Sequence, residues 1–313
     1  MNFETQLLKE LAIEKDKKIN QKRSFKIDSS HIKRRVWLNN LLQRVFSLST
    51  VFAIAVLVIL FYQIIRQSIG WLDWQFLTSN LSIFPQKAGI WGAIVGSIGL
   101  ILIVIPVTII LGVSTAIYLE EYAKEGKIRD FIRINLSNLA SVPSVIFGLL
   151  GLSLFGRVLH LGSSILAGGL TLSLMVLPII VVASQEALRS VPGYLREGSY
   201  AMGATKWTTI WKVVLPIAIP GILTGSILSV SRAMGETAPL VVLGIPALIM
   251  RVPTSIMDDF TALPIQIYYW TLDSVLTKEY ANLASATIVV LLVVLFLMNS
   301  VAIFIRNKFQ KSY

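Results

Sequence analysis

Two charged side chains, Arg232 and Glu236, interrupt a stretch that is otherwise apolar or small: Ser231-Arg232-Ala233-Met234-Gly235-Glu236-Thr237-Ala238-Pro239-Leu240. Four positions apart, they share one face of a helix. A charge near the middle of a bilayer costs roughly 3 kcal/mol on insertion scales, so it faces a partner charge or a polar cavity. Two uses are open. One is a structural ion pair near the far end of a spanning helix. The other is a guanidinium that holds an oxyanion in transit, because its planar donors match two oxygens at once. A single arginine would keep such binding weak enough for release. Glu236 would then hold the arginine and stop it trapping the anion, and Thr237 would add a hydroxyl donor.

Other chemistry finds little support. There is no cysteine, hence no thiol nucleophile, disulfide or thiolate metal site. The two histidines, His31 and His160, lie in a basic arm and a short loop, and no His/carboxylate grouping has ligand spacing. Neither H-E-x-x-H nor G-x-S-x-G occurs. Gly198-Ser199-Tyr200-Ala201-Met202-Gly203-Ala204-Thr205 almost spells a phosphate-binding loop, but Ala204 stands where the lysine belongs and no strand precedes it. No catalytic, metal or cofactor residue is expected, and any ATP would be used by another subunit. Asp258-Asp259 reads as a solvated face or a contact for a binding protein.

The elements that position Arg232 are membrane helices. The chain has 313 residues, is 55% hydrophobic and 14% charged, and has a mean hydropathy of +0.72. Its apolar residues fall in blocks long enough to cross ~30 Å of hydrocarbon. Six spans are expected at about 45–65, 89–119, 134–155, 163–184, 213–233 and 282–305. Pro143 loosens the third span and Pro178 lies in the fourth. Gly89, Gly92, Gly96 and Gly99 form a small-residue stripe for close helix approach, either within the chain or to a partner subunit. Lys and Arg divide 22 to 5 between alternate sides, Arg232 lying inside a span. The richer side is cytoplasmic, which places both termini and the 185–212 segment there. Residues 1–44 form a basic arm, either disordered or a surface helix through Leu7, Leu8, Leu11 and Ile13, and 306–313 form a short tail. The net charge of +11 thus serves lipid headgroups rather than nucleic acid.

A second constellation lies in that cytoplasmic segment. Gly198, Ser199, Ala201 and Gly203 give a small-residue helix face that fits a groove on a partner, with Arg196, Lys206 and Trp207 at its rim. The alternative is an interfacial amphipathic helix with no partner.

The run Glu197-Gly198-Ser199, three residues, Gly203, nine residues, Val213-Val214-Leu215-Pro216 resembles the loop signature of ABC importer permeases, Glu-Ala-Ala, three residues, Gly, nine residues, Ile-x-Leu-Pro. It departs by Gly198, Ser199 and Val213, all small or isosteric changes. Pro143-Ser144-Val145-Ile146-Phe147-Gly148 and the Ser231–Leu240 stretch are similar to phosphate importer permeases, and the Glu236-Thr237-Ala238-Pro239 ending is similar to the PstA type more than its PstC partner. The resemblance covers roughly residues 45 to 305. It implies an all-α integral membrane protein of the bacterial inner membrane, with six transmembrane helices and a cytoplasmic coupling helix, the type I importer permease fold. It implies that Glu197, Gly198, Ser199, Ala201, Gly203, Lys206, Leu215 and Pro216 couple to an ATPase subunit. The implied partners are a PstC-like permease, an ATPase dimer that uses the ATP, and an extracytoplasmic phosphate-binding protein. Two rivals stand beside it: a permease for sulfate or molybdate, and an anion channel or carrier needing no ATPase, for which no inverted repeat is visible.

Overall fold

The computed structural model describes residues 13–15, 29–249 and 251–309 and divides into two units, one ending at Phe61 and one beginning at Tyr62. In the first, α1 (Ser29–Ser68) begins well before the expected arm boundary at residue 44 and continues as one helix past the unit's end. Leu7, Leu8 and Leu11 lie outside the described residues. Ile13 lies in a helical turn and is exposed.

The second unit continues through α2 (Trp74–Thr78), α3 (Trp91–Ile117), α4 (Lys127–Ala140), α5 (Ser144–Gly151), α6 (Ile165–Arg189), α7 (Gly193–Ala201), α8 (Lys206–Thr209), α9 (Leu215–Gly235), α10 (Ala238–Leu243), α11 (Leu263–Asp273) and α12 (Glu279–Phe309). Among the described residues, five helical stretches are long and apolar enough to cross a membrane, and a bent pair makes up to a sixth. The bent pair corrects the expected third span. Instead of one helix over 134–155, α4 and the α5 stretch meet at 102°. Val142 precedes a proline, which disfavours helical backbone there, and Pro143 has no N–H to continue the ladder. The Ser141 hydroxyl donates to Asn138 O (2.7 Å) where α4 stops.

Small residues set the helix contacts. A side chain at Gly112 would strike Ile180, and one at Gly99 would crowd Ile165, so α3 and α6 run parallel with their backbones close. Further along α6, Ala183 and Ala187 sit against Gly225 and Gly221 of α9. This is a small-xxx-small pair on both helices, the pattern that membrane helices use to approach closely. The stripe noted in the sequence is largely spent within the chain. Gly89 abuts Ser79 and Gly96 abuts the Thr261 carbonyl, whereas Gly92 meets open space.

The loop before α11 threads into the bundle. Phe260, Thr261 and Ala262 are fully buried, and the Ser97 hydroxyl accepts the Leu263 N–H at 2.9 Å. Just upstream, the carbonyls of Asp258 and Ile256 accept the first free N–H groups of α6, from Ile165 and Leu166. Asp259 accepts from the Ser163 hydroxyl. The Asp258 carboxylate is committed to its own turn, accepting from Thr254 N, Thr254 Oγ1 and Ser255 N at 2.8–3.0 Å. These two backbone N–H groups, with the Thr254 hydroxyl, hold its carboxyl below the usual carboxylate range. The bonds therefore favour the ionised form. The turn is held at neutral pH and loosens as pH falls through the lowered folded-state value. Amide exchange at Thr254 and Ser255 should be slow at neutral pH and speed up relative to neighbouring loop amides once the pH falls below the usual carboxylate range. Equal relative protection at both pH values would contradict this.

Candidate functional site

The 185–212 segment is not one helix. The Gly203 N–H donates to Tyr200 O (2.9 Å) and the Ala204 N–H to Ser199 O (3.2 Å), closing α7. Gly203 has φ +79°, the left-handed conformation that suits glycine at such an end. The expected small-residue face therefore comprises Gly198, Ser199 and Ala201, and Gly203 supplies the turn instead. Thr205 caps α8 by accepting from Thr208 N. The hydroxyls of Ser199 and Thr209 lie 2.8 Å apart and fix α7 against the start of the next helix.

Glu197, Gly198 and Ala201 are exposed, and so are Tyr194 and Met202, the latter at 88%. Sequence reasoning missed Tyr194 and Met202. Their signal was two large apolar residues flanking a polar, small-residue helix. Lys206 places its ammonium 5.0 Å from the Tyr122 ring centre, a cation–π distance. Arg196, expected at the rim, is turned inward toward Glu121. Between α8 and α9 the ladder widens into a π-helical turn, Ile210–Val214, closed by the Leu215 N–H on Ile210 O. Pro216 has no N–H to offer, and the slip in register just before it accommodates that loss. Leu215 packs in the cluster of Val181, Leu188, Val191, Val214 and Ala218, so the Leu215-Pro216 pair joins the segment to the bundle.

At the opposite end of α9, Arg232 Nε lies 3.5 Å from Glu236 Oε1. The Arg232 side chain is 57% exposed and that of Glu236 20%. Among the described residues the guanidinium has no other partner, so its terminal nitrogens have donors to spare. Glu236 ends the helix in an extended conformation, its N–H donating to Ala233 O. The Thr237 carbonyl accepts the Leu240 and Val241 N–H groups as α10 begins, with Pro239 in the first turn. Ser231, next to the arginine, donates its hydroxyl to Ile227 O and Asn299 Oδ1 (2.6 Å), tying α9 to α12. Asn299 was not legible as part of this region, being 68 positions away in the sequence.

The structure also brings together the two stretches flagged in the sequence. Phe147 and Leu240 lie in one buried cluster. A β-carbon on Gly148 would sit 2.8 Å from both the Cα and the carbonyl oxygen of Pro239. An exposed guanidinium within an apolar span does not suit acyl chains. It suits another protein surface or a water-filled path, and bidentate contact with an oxyanion is the chemistry its free nitrogens offer.

Residues 108–311 match the family described as binding-protein-dependent transport system inner membrane component. The chain is 38% identical over 195 residues to the probable ABC transporter permease protein YqgI of Bacillus subtilis, covering 62% of this chain and 66% of that one. It is 36% identical over 219 residues to the phosphate transport system permease protein PstA 1 of Mycobacterium tuberculosis, covering 68% and 70%. Its fold is similar to a chain of a bacterial ABC transporter involved in the import of the acidic polysaccharide alginate. The TM-score is 0.59 at 15% identity, over 90% of this chain and 99% of that one.

Proposed function

Because this chain belongs to the family of binding-protein-dependent transport system inner membrane components, we propose that it is the transmembrane permease subunit of an ATP-driven phosphate importer. It forms half of the translocation pathway beside a PstC-like permease. It lies in the bacterial inner membrane with both termini and the 185–212 segment cytoplasmic. A dimer of ATPase subunits binds and hydrolyses the ATP. An extracytoplasmic phosphate-binding protein delivers the ion.

The observation that carries the reading is the pairing of two regions at opposite ends of α9. At one end, the exposed surface of Glu197, Gly198, Ala201 and Lys206 meets the ATPase, with Ser199 and Gly203 shaping it and Leu215-Pro216 passing its movement into the span. At the other, Arg232 faces the path, Glu236 orients it, and Thr237 stands beside them. The likeness to a phosphate permease over two thirds of the chain supports phosphate over sulfate or molybdate.

The test is a pull-down of the tagged chain from detergent, followed by phosphate-stimulated ATP hydrolysis in liposomes holding the recovered complex. An ATPase should co-purify and respond to the phosphate-loaded binding protein. Gly203→Trp should lose the ATPase while the permease stays folded. No neighbouring atom lies within 4 Å of a Cβ there, so the indole stands out from the docking surface. The strain of a positive φ adds about 1–2 kcal/mol. A chain that purifies alone and still passes phosphate would overturn the assignment in favour of a channel or carrier.

A further inference from the structure

After α3 the chain makes one π-helical turn, Tyr118–Tyr122, closed by the Ala123 N–H on Tyr118 O at 2.8 Å. Its last three side chains reach four separate elements. Glu120 accepts a bidentate pair from Arg189 at the end of α6, Nε at 2.7 Å and Nη2 at 3.0 Å. Arg129 of α4 approaches the same carboxylate at 3.6 Å. Glu121, its side chain 8% exposed, accepts from Arg196 of α7 through Nε and Nη2 at 3.3 and 3.0 Å. Tyr122 lies beneath Lys206 of α8. Arg196 does more than pair. Its remaining donors go to Leu188 O (2.8 Å) in the last turn of α6 and to Val191 O (2.7 Å) just beyond it.

We propose that the Glu120–Glu121–Tyr122 turn is the element that carries movement of the ATPase-facing helix into the spans, with Glu121 and Arg196 as its positioning pair. The proposal rests on the coupling reading above and deepens it. Its physical ground is the route of the contacts. Arg196 directly precedes Glu197, so α7 cannot shift without pulling on Glu121 at the foot of α3 and on the last carbonyls of α6. Those two helices are in backbone-close contact through Gly112 and Gly99, so they follow together. α6 in turn holds α9 through Ala183 and Ala187, and Arg232 stands at the far end of α9. The route is a contiguous set of close contacts. A π-helical turn suits the role, because its wider ladder can pass a residue between two registers. Arg129 keeps one donor in reserve: its Nε is buried without a partner among the described residues.

The experiment uses the full complex in liposomes with the phosphate-loaded binding protein, and compares wild type with Glu121→Gln, Arg196→Lys and Arg196→Met. Phosphate imported per ATP hydrolysed is measured alongside retention of the ATPase in a pull-down. Glu121→Gln and Arg196→Met should keep the ATPase bound but lower the ratio at least tenfold, with Arg196→Lys intermediate. An unchanged ratio in Glu121→Gln overturns the proposal. So does loss of the folded, ATPase-bound complex, since the pair would then be a structural staple only. If the wild-type complex shows no phosphate-stimulated hydrolysis, it is the importer reading that fails, and the two failures are told apart by that control.

Discussion

Replacing Arg232 with alanine should reduce phosphate uptake to background while the complex still assembles. The guanidinium is more than half exposed, its one contact to Glu236 is long, and its terminal nitrogens carry no other load. Removing it therefore costs the fold little. A hydrogen bond from a charged donor contributes about 1.5–3 kcal/mol, and each 1.4 kcal/mol is about tenfold. Losing a bidentate contact made mainly in transit thus predicts a fall of about 10- to 100-fold at least. Arg232→Lys separates geometry from charge. Lysine keeps the positive charge but offers a point donor in place of a planar fork, so uptake should fall about tenfold with the complex intact. Wild-type uptake in the lysine variant would remove direct bidentate contact from the mechanism. Loss of assembly in the alanine variant would return Arg232 and Glu236 to the role of a structural ion pair.

Gly148→Ala should destabilise the contact between α5 and α10 although it adds a single methyl. The new β-carbon would sit 2.8 Å from two backbone atoms of Pro239 and 2.9 Å from Val242 Cβ. Backbone cannot yield as a flexible side chain can, so α5 and α10 must separate. Overpacking of this kind costs about 1–3 kcal/mol, which should appear as a lowered unfolding temperature of the detergent-solubilised chain. Because Glu236 and Thr237 lead directly into α10, uptake should fall as well. Gly92→Ala is the matched control. It lies in a helix with no atom near the added carbon, and exchange of glycine for alanine there stabilises by about 0.5–1 kcal/mol. Equal thermal stability of the two variants would show that the α5–α10 contact bears no load.

Much of the architecture was legible because membrane insertion acts on composition. Runs of apolar residues must form helices to satisfy their backbone in hydrocarbon, so the long helices fall close to the expected spans. A proline with no N–H was likewise readable as a feature that loosens a helix, although the size of the bend at Pro143 was not. The resemblance carried by Glu197, Gly203 and Leu215-Pro216 implied a coupling segment, but the division of that segment into two helices rests on the single backbone angle of Gly203.

What the tertiary structure decided is which distant residues meet. Arg196 was expected to face outward beside Lys206. Instead it reaches Glu121, 75 positions away, because the parallel packing of α3 and α6 brings their last turns side by side. Gly148 and Pro239 come together because α5 and α10 are both too short to cross alone and bury their apolar faces on each other. Asn299 meets Ser231 only because α9 and α12 run antiparallel. Local periodicity determines where a helix forms and which face is apolar. The pairing of charges depends on how close the backbones can approach, and that is set by glycine and alanine side chains too small to announce their partners.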